Sequence, residues 1–189
     1  MDSTVAAQHR EQRFRTLYDD VHGDLLRFVR RRVHPRHAED VVSEVMLVAW
    51  RRLDDVPSDL SPARAWLFGV ARHTLLNAGR RERKQEALPI RLAEAVPVLT
   101  DGGPSADLIA VRVDIATAWR TLNPIHQEAL ALAVFDGLSA PEAAIVLDIS
   151  PTAFRLRLSR ARGTLTRLIE SGQADDPLPG DVTYVRSPR

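Results

Sequence analysis

The side chains best placed to do chemistry are arginines presented on a capped helix. Residues Asp136 to Arg162 read DGLSAPEAAIVLDISPTAFRLRLSRAR. Ser139 and Glu142, three apart, form a capping box in which each side chain can satisfy the other's free backbone donor. A short helix follows with Ala143, Ala144 and Leu147 inward, and its small residues let another helix approach closely. Asp148 then stands at a turn, where its side chain tolerates a left-handed backbone. Ser150-Pro151 caps a longer helix. On that helix Phe154, Leu158, Ala161 and Leu165 face the core, Thr152, Arg155, Leu156, Ser159 and Arg160 lie opposite, and Arg157 and Arg162 flank them. This is the layout of a helix–turn–helix, whose second helix enters the DNA major groove. An arginine near the helix start can fork onto guanine, while later ones reach phosphates. A solvated basic face is the plainer explanation of a charge run, but here caps, turn and wheel coincide. Leu156 fits either a thymine methyl or a neighbouring helix.

No other set of side chains has the spacing of a reactive centre. Cysteine is absent, which excludes disulfide scaffolds, thiol catalysis and Cys-ligated metals. Of the six histidines only His34 and His37 are close, and they straddle Pro35 without an obvious third ligand. There is no phosphate-cradling glycine loop and no serine in a nucleophile elbow. The expectation is a protein without metal, cofactor or enzymatic activity.

The elements that must position the arginines read as helices. Phe14, Leu17, Tyr18, Val21, Leu25, Phe28, Val29 and Val33 recur at spacings of three and four until Pro35. A second helix opens near His37, with Val41, Val42, Val45, Val48, Ala49 and Leu53 inward. Asp54 to Pro62 is a turn-rich loop, and Ser61-Pro62 reads as the N-cap of a third helix through Trp66, Val70, Thr74 and Ala78. Trp66 falls on the apolar stripe, so packing is favoured over base stacking. Periodicity fades from Gln85 to Ser105, which holds Pro89, Pro97 and Gly102-Gly103-Pro104. It resumes with Leu108, Val111, Ile115, Trp119 and Leu122, closed by Asn123-Pro124. Further helices are expected at about 125–136, 140–147 and 151–170. The fold class is all-α: two small helical domains joined by a flexible linker, the second containing the helix–turn–helix. The expected divisions are a flexible N-terminus at 1–11, a first domain at 12–84, the linker at 85–105, a second domain at 106–171 and a mobile tail at 172–189.

The chain has 189 residues and a formal charge of only +1. Split by segment, residues 1–84 hold 16 basic and 12 acidic groups, 85–154 hold 3 and 9, and 155–189 hold 7 and 4. Positive charge is therefore concentrated at the end of the third helix and on the candidate recognition helix. Lys84 is the only lysine. The preference for arginine suits phosphate contacts, and it suits a GC-rich genome equally well. No run of apolar residues is long enough for a membrane helix, and Met1 to Arg15 lacks the apolar core of a signal peptide, so a cytoplasmic protein without membrane insertion is expected.

Two motif sets in this order resemble the sigma-70 family of RNA polymerase sigma factors. Ser150 to Arg162 is similar to the end of sigma region four. Ala38-Glu39-Asp40-Val41-Val42-Ser43-Glu44-Val45, then Trp66-Leu67, Val70-Ala71-Arg72 and Arg80-Arg81, resemble region two. A short chain with only these regions, here over about residues 12–170, resembles an extracytoplasmic-function (group IV) member. The resemblance implies that region two docks on the beta-prime clamp helices of core RNA polymerase and melts the minus-ten element. Region four then reads the minus-thirty-five element and rests on the beta flap. It also implies a controlling anti-sigma factor. Asp40 and Glu44 match positions that meet the arginine-rich clamp, and Ser43 stands where the family usually has glutamine. One turn apart near a helix start, the two acids also suit the helix dipole.

Asp54 to Arg64 matches the segment that captures an unpaired minus-ten base. Arg72, His73, Asn77, Arg80 and Arg81 match the path of single-stranded DNA, although the family more often has asparagine at 73 and aspartate at 77. Thr152, Ala153, Phe154 and Leu156 depart from the commoner glycine, threonine, valine and serine. The implied minus-thirty-five set is Thr152, Arg155, Leu156, Arg157, Ser159, Arg160 and Arg162. A self-standing repressor is the other DNA-binding class, and it would shift duplex DNA without polymerase.

Overall fold

The computed structural model describes residues 2–80, 90 and 106–174, and among these every regular element is helical. Helices α1 (Asp2–Arg30), α2 (Ala38–Arg51) and α3 (Leu60–Arg80) form the first set. Helices α4 (Ala106–Thr121), α5 (Pro124–Val134), α6 (Ala140–Leu147) and α7 (Pro151–Ala174) form the second. Short 3-10 turns at Pro35–His37 and Leu53–Asp55 flank α2.

The apolar stripes become the core as their spacing predicts. Val21, Leu25, Phe28 and Val29 of α1 are buried against Val42, Val45 and Ala49 of α2 and Leu67, Phe68 and Ala71 of α3. Phe28 and Phe68 stack with ring centroids 4.4 Å apart. In the second set, Trp119 of α4 and Leu122 just beyond its end pack with Leu130 of α5 and Ala161 of α7. Ile90 joins this cluster, and its carbonyl accepts the Trp119 indole N–H at 3.3 Å. Gln127 holds the α4–α5 corner by donating its amide to the Trp119 and Leu122 carbonyls at 2.6 and 3.1 Å.

Local capping fixes the starts of α5, α6 and α7. Asn123 accepts from the Ile125 N–H at 2.9 Å, with Pro124 at the first helical position of α5. At α6 the Glu142 carboxylate accepts from the Ser139 backbone N–H at 2.7 Å and from its hydroxyl at 2.5 Å. Asp148 ends α6 in the left-handed region, with φ 54° and ψ 50°. Ser150 then caps α7, its hydroxyl accepting from the Ala153 N–H at 3.1 Å.

Four sequence expectations shift. The chain is helical from Asp2, within the segment expected to be a flexible N-terminus, because Arg10 anchors it: its guanidinium donates to Asp54 at 3.2 and 3.1 Å and to the Trp50 carbonyl at 2.6 Å. Helix α3 starts at Leu60, so Ser61 is not its N-cap; the Ser61 hydroxyl instead donates to Glu142 of α6. Helix α1 stops at Arg30, before Pro35, and Arg31 and Arg32 turn inward. Helix α7 runs to Ala174, past the expected start of the tail. Apart from Ile90, the expected linker at 85–105 and the tail after Ala174 lie outside the described residues.

The two sets are packed together. Ala129, Leu132, Leu138, Ala143, Val146, Leu147 and Phe154 belong to the same apolar cluster as α1–α3. Helix α6 lies on α3 at Gly69, where an added Cβ would stand 3.8 Å from the Ile145 carbonyl and the Val146 Cα.

Candidate functional site

Three exposed faces carry the residues singled out in the sequence. On α7, Thr152, Arg155, Leu156, Ser159, Arg160 and Arg162 are exposed and Arg157 is half-buried. Phe154 and Ala161 are buried, while Leu158 and Leu165 pack at the edge of the core. The wheel is therefore read correctly. Leu156 is 51% exposed, so it is not consumed by packing against a neighbouring helix. The rigid Ser139–Glu142 box, the Asp148 turn and the Ser150 cap set the angle at which α7 projects.

Glu142 is the titratable anchor of that arrangement. Burial alone would raise its carboxyl, but hydrogen bonds from the Ser139 hydroxyl, the Ser61 hydroxyl and the Ser139 N–H, with the charge of Arg64, hold it below the usual carboxylate range. A depressed folded value means that this stabilisation is present above the unfolded carboxyl value, about 4.3, and is lost as pH falls through the lower folded value. Thermal melts of the wild type and Glu142→Gln are expected to converge on acidification across that window, the wild type being the more stable at neutral pH.

The second face is on α2. Asp40, Ser43 and Glu44 are all exposed on one side of the helix, continued by Leu47 at 54% and Trp50 at 37% exposure. Trp50 meets Phe14 of α1 edge-on at 5.2 Å, and Tyr18 stacks on His22 at 4.7 Å. Between the helices runs a groove of about 300 Å3, lined by Phe14, Tyr18, His22, Ser43, Leu47 and Trp50 among others. Sequence periodicity missed the apolar half of this face, since it identifies apolar positions without saying which stay uncovered. An acidic rim beside open aromatic and aliphatic groups suits a partner that is cationic and partly apolar.

The third face combines α3 with the turn before it. His73 and Asn77 are exposed on α3. Arg80 ends the helix, but its side chain and Arg81 lie outside the described residues. Arg72 departs from expectation: it is only 7% exposed and forks onto Glu128 of α5, Nε to Oε1 at 2.8 Å and Nη2 to Oε2 at 3.1 Å. Trp66 packs partly on the core, with the Arg52 guanidinium 5.7 Å above its ring. Next to the turn is a groove of about 230 Å3 between α1 and residues 56–63, lined by Gln12, Arg13, Thr16, Asp20, Pro57 and Ser58 among others. Arg13 holds the turn by donating to the Val56 carbonyl at 2.5 Å. The contribution of α1 to this groove was invisible in the sequence, because its residues lie some forty positions away. Among the described residues no group of three His, Cys, Asp or Glu side chains could hold a metal. His34 and His37 make local contacts with Arg36.

Comparison with known proteins converges on the same two halves. The family model for sigma-70 region 2 matches residues 17–85, and that for sigma-70 region 4 matches 112–165. The RNA polymerase sigma factor CnrH of Cupriavidus metallidurans is 32% identical over 143 residues, spanning 70% of this chain and 73% of that protein. The chain belongs to the sigma-70 family. It groups with the extracytoplasmic-function sigma factors: SigL of Mycobacterium tuberculosis, so described, is 29% identical over 151 residues, covering 78% of this chain and 83% of SigL. A solved structure of CnrH in complex with the cytosolic domain of CnrY superposes with a TM-score of 0.58 at 29% identity, covering 89% of this chain and 96% of CnrH. Like its relatives, this sigma factor is a promoter-specificity factor of transcription initiation. Its described helices include none long and apolar enough to cross a membrane.

Proposed function

We propose that this sigma factor acts through its three exposed faces without performing chemistry itself, lending sequence specificity to core RNA polymerase. Asp40, Ser43 and Glu44, extended by Leu47, Trp50 and Tyr18, dock on the beta-prime clamp helices. His73, Asn77, Arg80 and Arg81, with Arg72 once it is released, follow the melted minus-ten strand, and the groove beside Arg13 and Ser58 receives an unpaired base. Thr152, Arg155, Leu156, Arg157, Ser159, Arg160 and Arg162 read the minus-thirty-five element, with region four resting on the beta flap. Residues 12–84 and 106–171 are the two working domains. The protein works in the cytoplasm, where polymerase is, and an anti-sigma factor controls it, as the pairing of CnrH with CnrY suggests for a relative.

The observation that carries this reading is the α7 face: seven polar, basic or open residues projected by a helix whose start is fixed by capping and a left-handed turn. Affinity for duplex should fall with salt, since each contacted phosphate releases counterions. In the reconstituted holoenzyme, Arg155→Ala is expected to weaken binding of a minus-thirty-five duplex by about 1–3 kcal/mol and to relax preference at a single base pair. Unchanged affinity and preference would remove Arg155 from the reading face. A repressor would shift promoter duplex alone in a gel; this protein should require core polymerase.

A further inference from the structure

Helix α1 begins at Asp2, whereas the match to sigma-70 region 2 begins at residue 17, so about four turns of helix precede it. Ahead of Phe14 these turns carry no apolar stripe, and two arginines one turn apart on the same face attach them instead. Both reach the turn between α2 and α3. Arg10 takes its entry, donating to the Trp50 carbonyl at 2.6 Å and to the Asp54 carboxylate at 3.1 Å. Trp50 lies in the last turn of α2, where carbonyls have no partner within the helix. Arg13 takes the exit, donating to the Val56 carbonyl at 2.5 Å. Leu53 and Val56 bury the inner side of the turn, and Arg52 clamps Asp55 at 2.8 Å. Pro57 and Ser58 directly follow the carbonyl that Arg13 holds, so Arg13 fixes where they start.

The same helix supplies half of the groove that the turn borders. Gln12, Thr16 and Asp20 recur every four residues and form one row along α1. That row is one wall of the groove of about 230 Å3, and Pro57 and Ser58 stand on the other, with Leu17 and Leu60 adding apolar surface. All three row residues are exposed, which leaves their polar groups open to a ligand. Apolar surface suits the faces of a base, and a polar row suits its edge. A glutamine amide and a threonine hydroxyl both donate and accept, but an ionised aspartate only accepts. An acceptor pairs with the exocyclic amine of adenine, cytosine or guanine, and thymine offers none.

We propose that helix α1 is the second wall of the base-capture pocket: Arg13 positions the turn, and the row Gln12–Thr16–Asp20 selects a base bearing an exocyclic amine. This selection rests on the base-capture reading above and adds to it the class of base and the residues that choose it. Arg13 touches the turn and not the base, so it is a positioning residue. Asp20 is the residue that sets specificity.

Reconstituted holoenzyme would select from single-stranded oligonucleotides randomised across the minus-ten element, and the bound pool would be sequenced. Only assembled complexes enter the selection, so a variant that assembles less is still read. Wild type should enrich amino-bearing bases over thymine at one position by roughly tenfold, within the range of a good base contact. Asp20→Asn places a donor beside the acceptor and should admit thymine at that position, leaving the others as they were. Arg13→Ala should flatten preference there alone, and Arg13→Lys, which keeps a donor for the Val56 carbonyl, should restore part of it. A purely structural role for Arg13 would instead weaken all sequences alike. If Arg13→Ala and Asp20→Asn both keep the wild-type preference at every position, α1 is not a wall of the pocket. A wild-type holoenzyme that enriches no sequence would sink the base-capture reading, and the selection by α1 with it.

Discussion

Asp40→Arg is expected to weaken assembly with core polymerase roughly hundredfold, because a like charge placed against a cationic partner costs several kcal/mol. Asp40 is exposed in the first turn of α2, where an acid also favours the helix dipole, by about 0.3–1 kcal/mol. The two roles separate experimentally. If Asp40 serves only the helix, the variant loses a little thermal stability and assembles normally. If it serves the polymerase, assembly measured by native gel or biolayer interferometry collapses while the melting temperature barely moves. Trp50→Ala should act in the same direction, since Trp50 is a half-open aromatic on the same face, beside the groove with Phe14 and Tyr18.

Phe68→Ala is expected to destabilise the fold by about 3–5 kcal/mol, the usual cost of emptying a fully buried phenylalanine site. Phe68 is 1% exposed and stacks on Phe28, whose other neighbour is the Arg32 guanidinium 3.5 Å from its ring centroid. The loss therefore reaches both the first unit's core and the contact between the two sets. Denaturant unfolding followed by circular dichroism would measure it. A loss below about 1 kcal/mol would mean that the site collapses around the smaller residue.

What could be read from the sequence alone is what acts over a few residues. The helix–turn–helix was legible because Ser139 caps with a residue three positions on, Asp148 carries its own turn, and Ser150 bonds the N–H of Ala153. The buried positions of α7 followed from periodicity for the same reason. The start of α1 was not legible, since no apolar stripe precedes Phe14 and the anchor of Arg10 is Asp54, far along the chain. Nor was the contact between the two sets. Arg31 and Arg32 meet a carboxylate more than a hundred residues away, and Arg72 meets one 56 residues away. Charge arithmetic came closest: a neutral sum concealed a basic first unit and an acidic stretch, and in the fold these opposite charges face each other.

Transcription in vitro is the most direct test of the central claim, that this chain directs core RNA polymerase to promoters through two DNA-binding units. Core enzyme supplemented with the purified protein would be run on a genomic fragment library, and transcript start sites would be mapped. Initiation is expected at a restricted set of sites sharing a minus-ten and a minus-thirty-five element, lost with Asp40→Arg and reduced with Arg155→Ala. Initiation no different from core enzyme alone would contradict it.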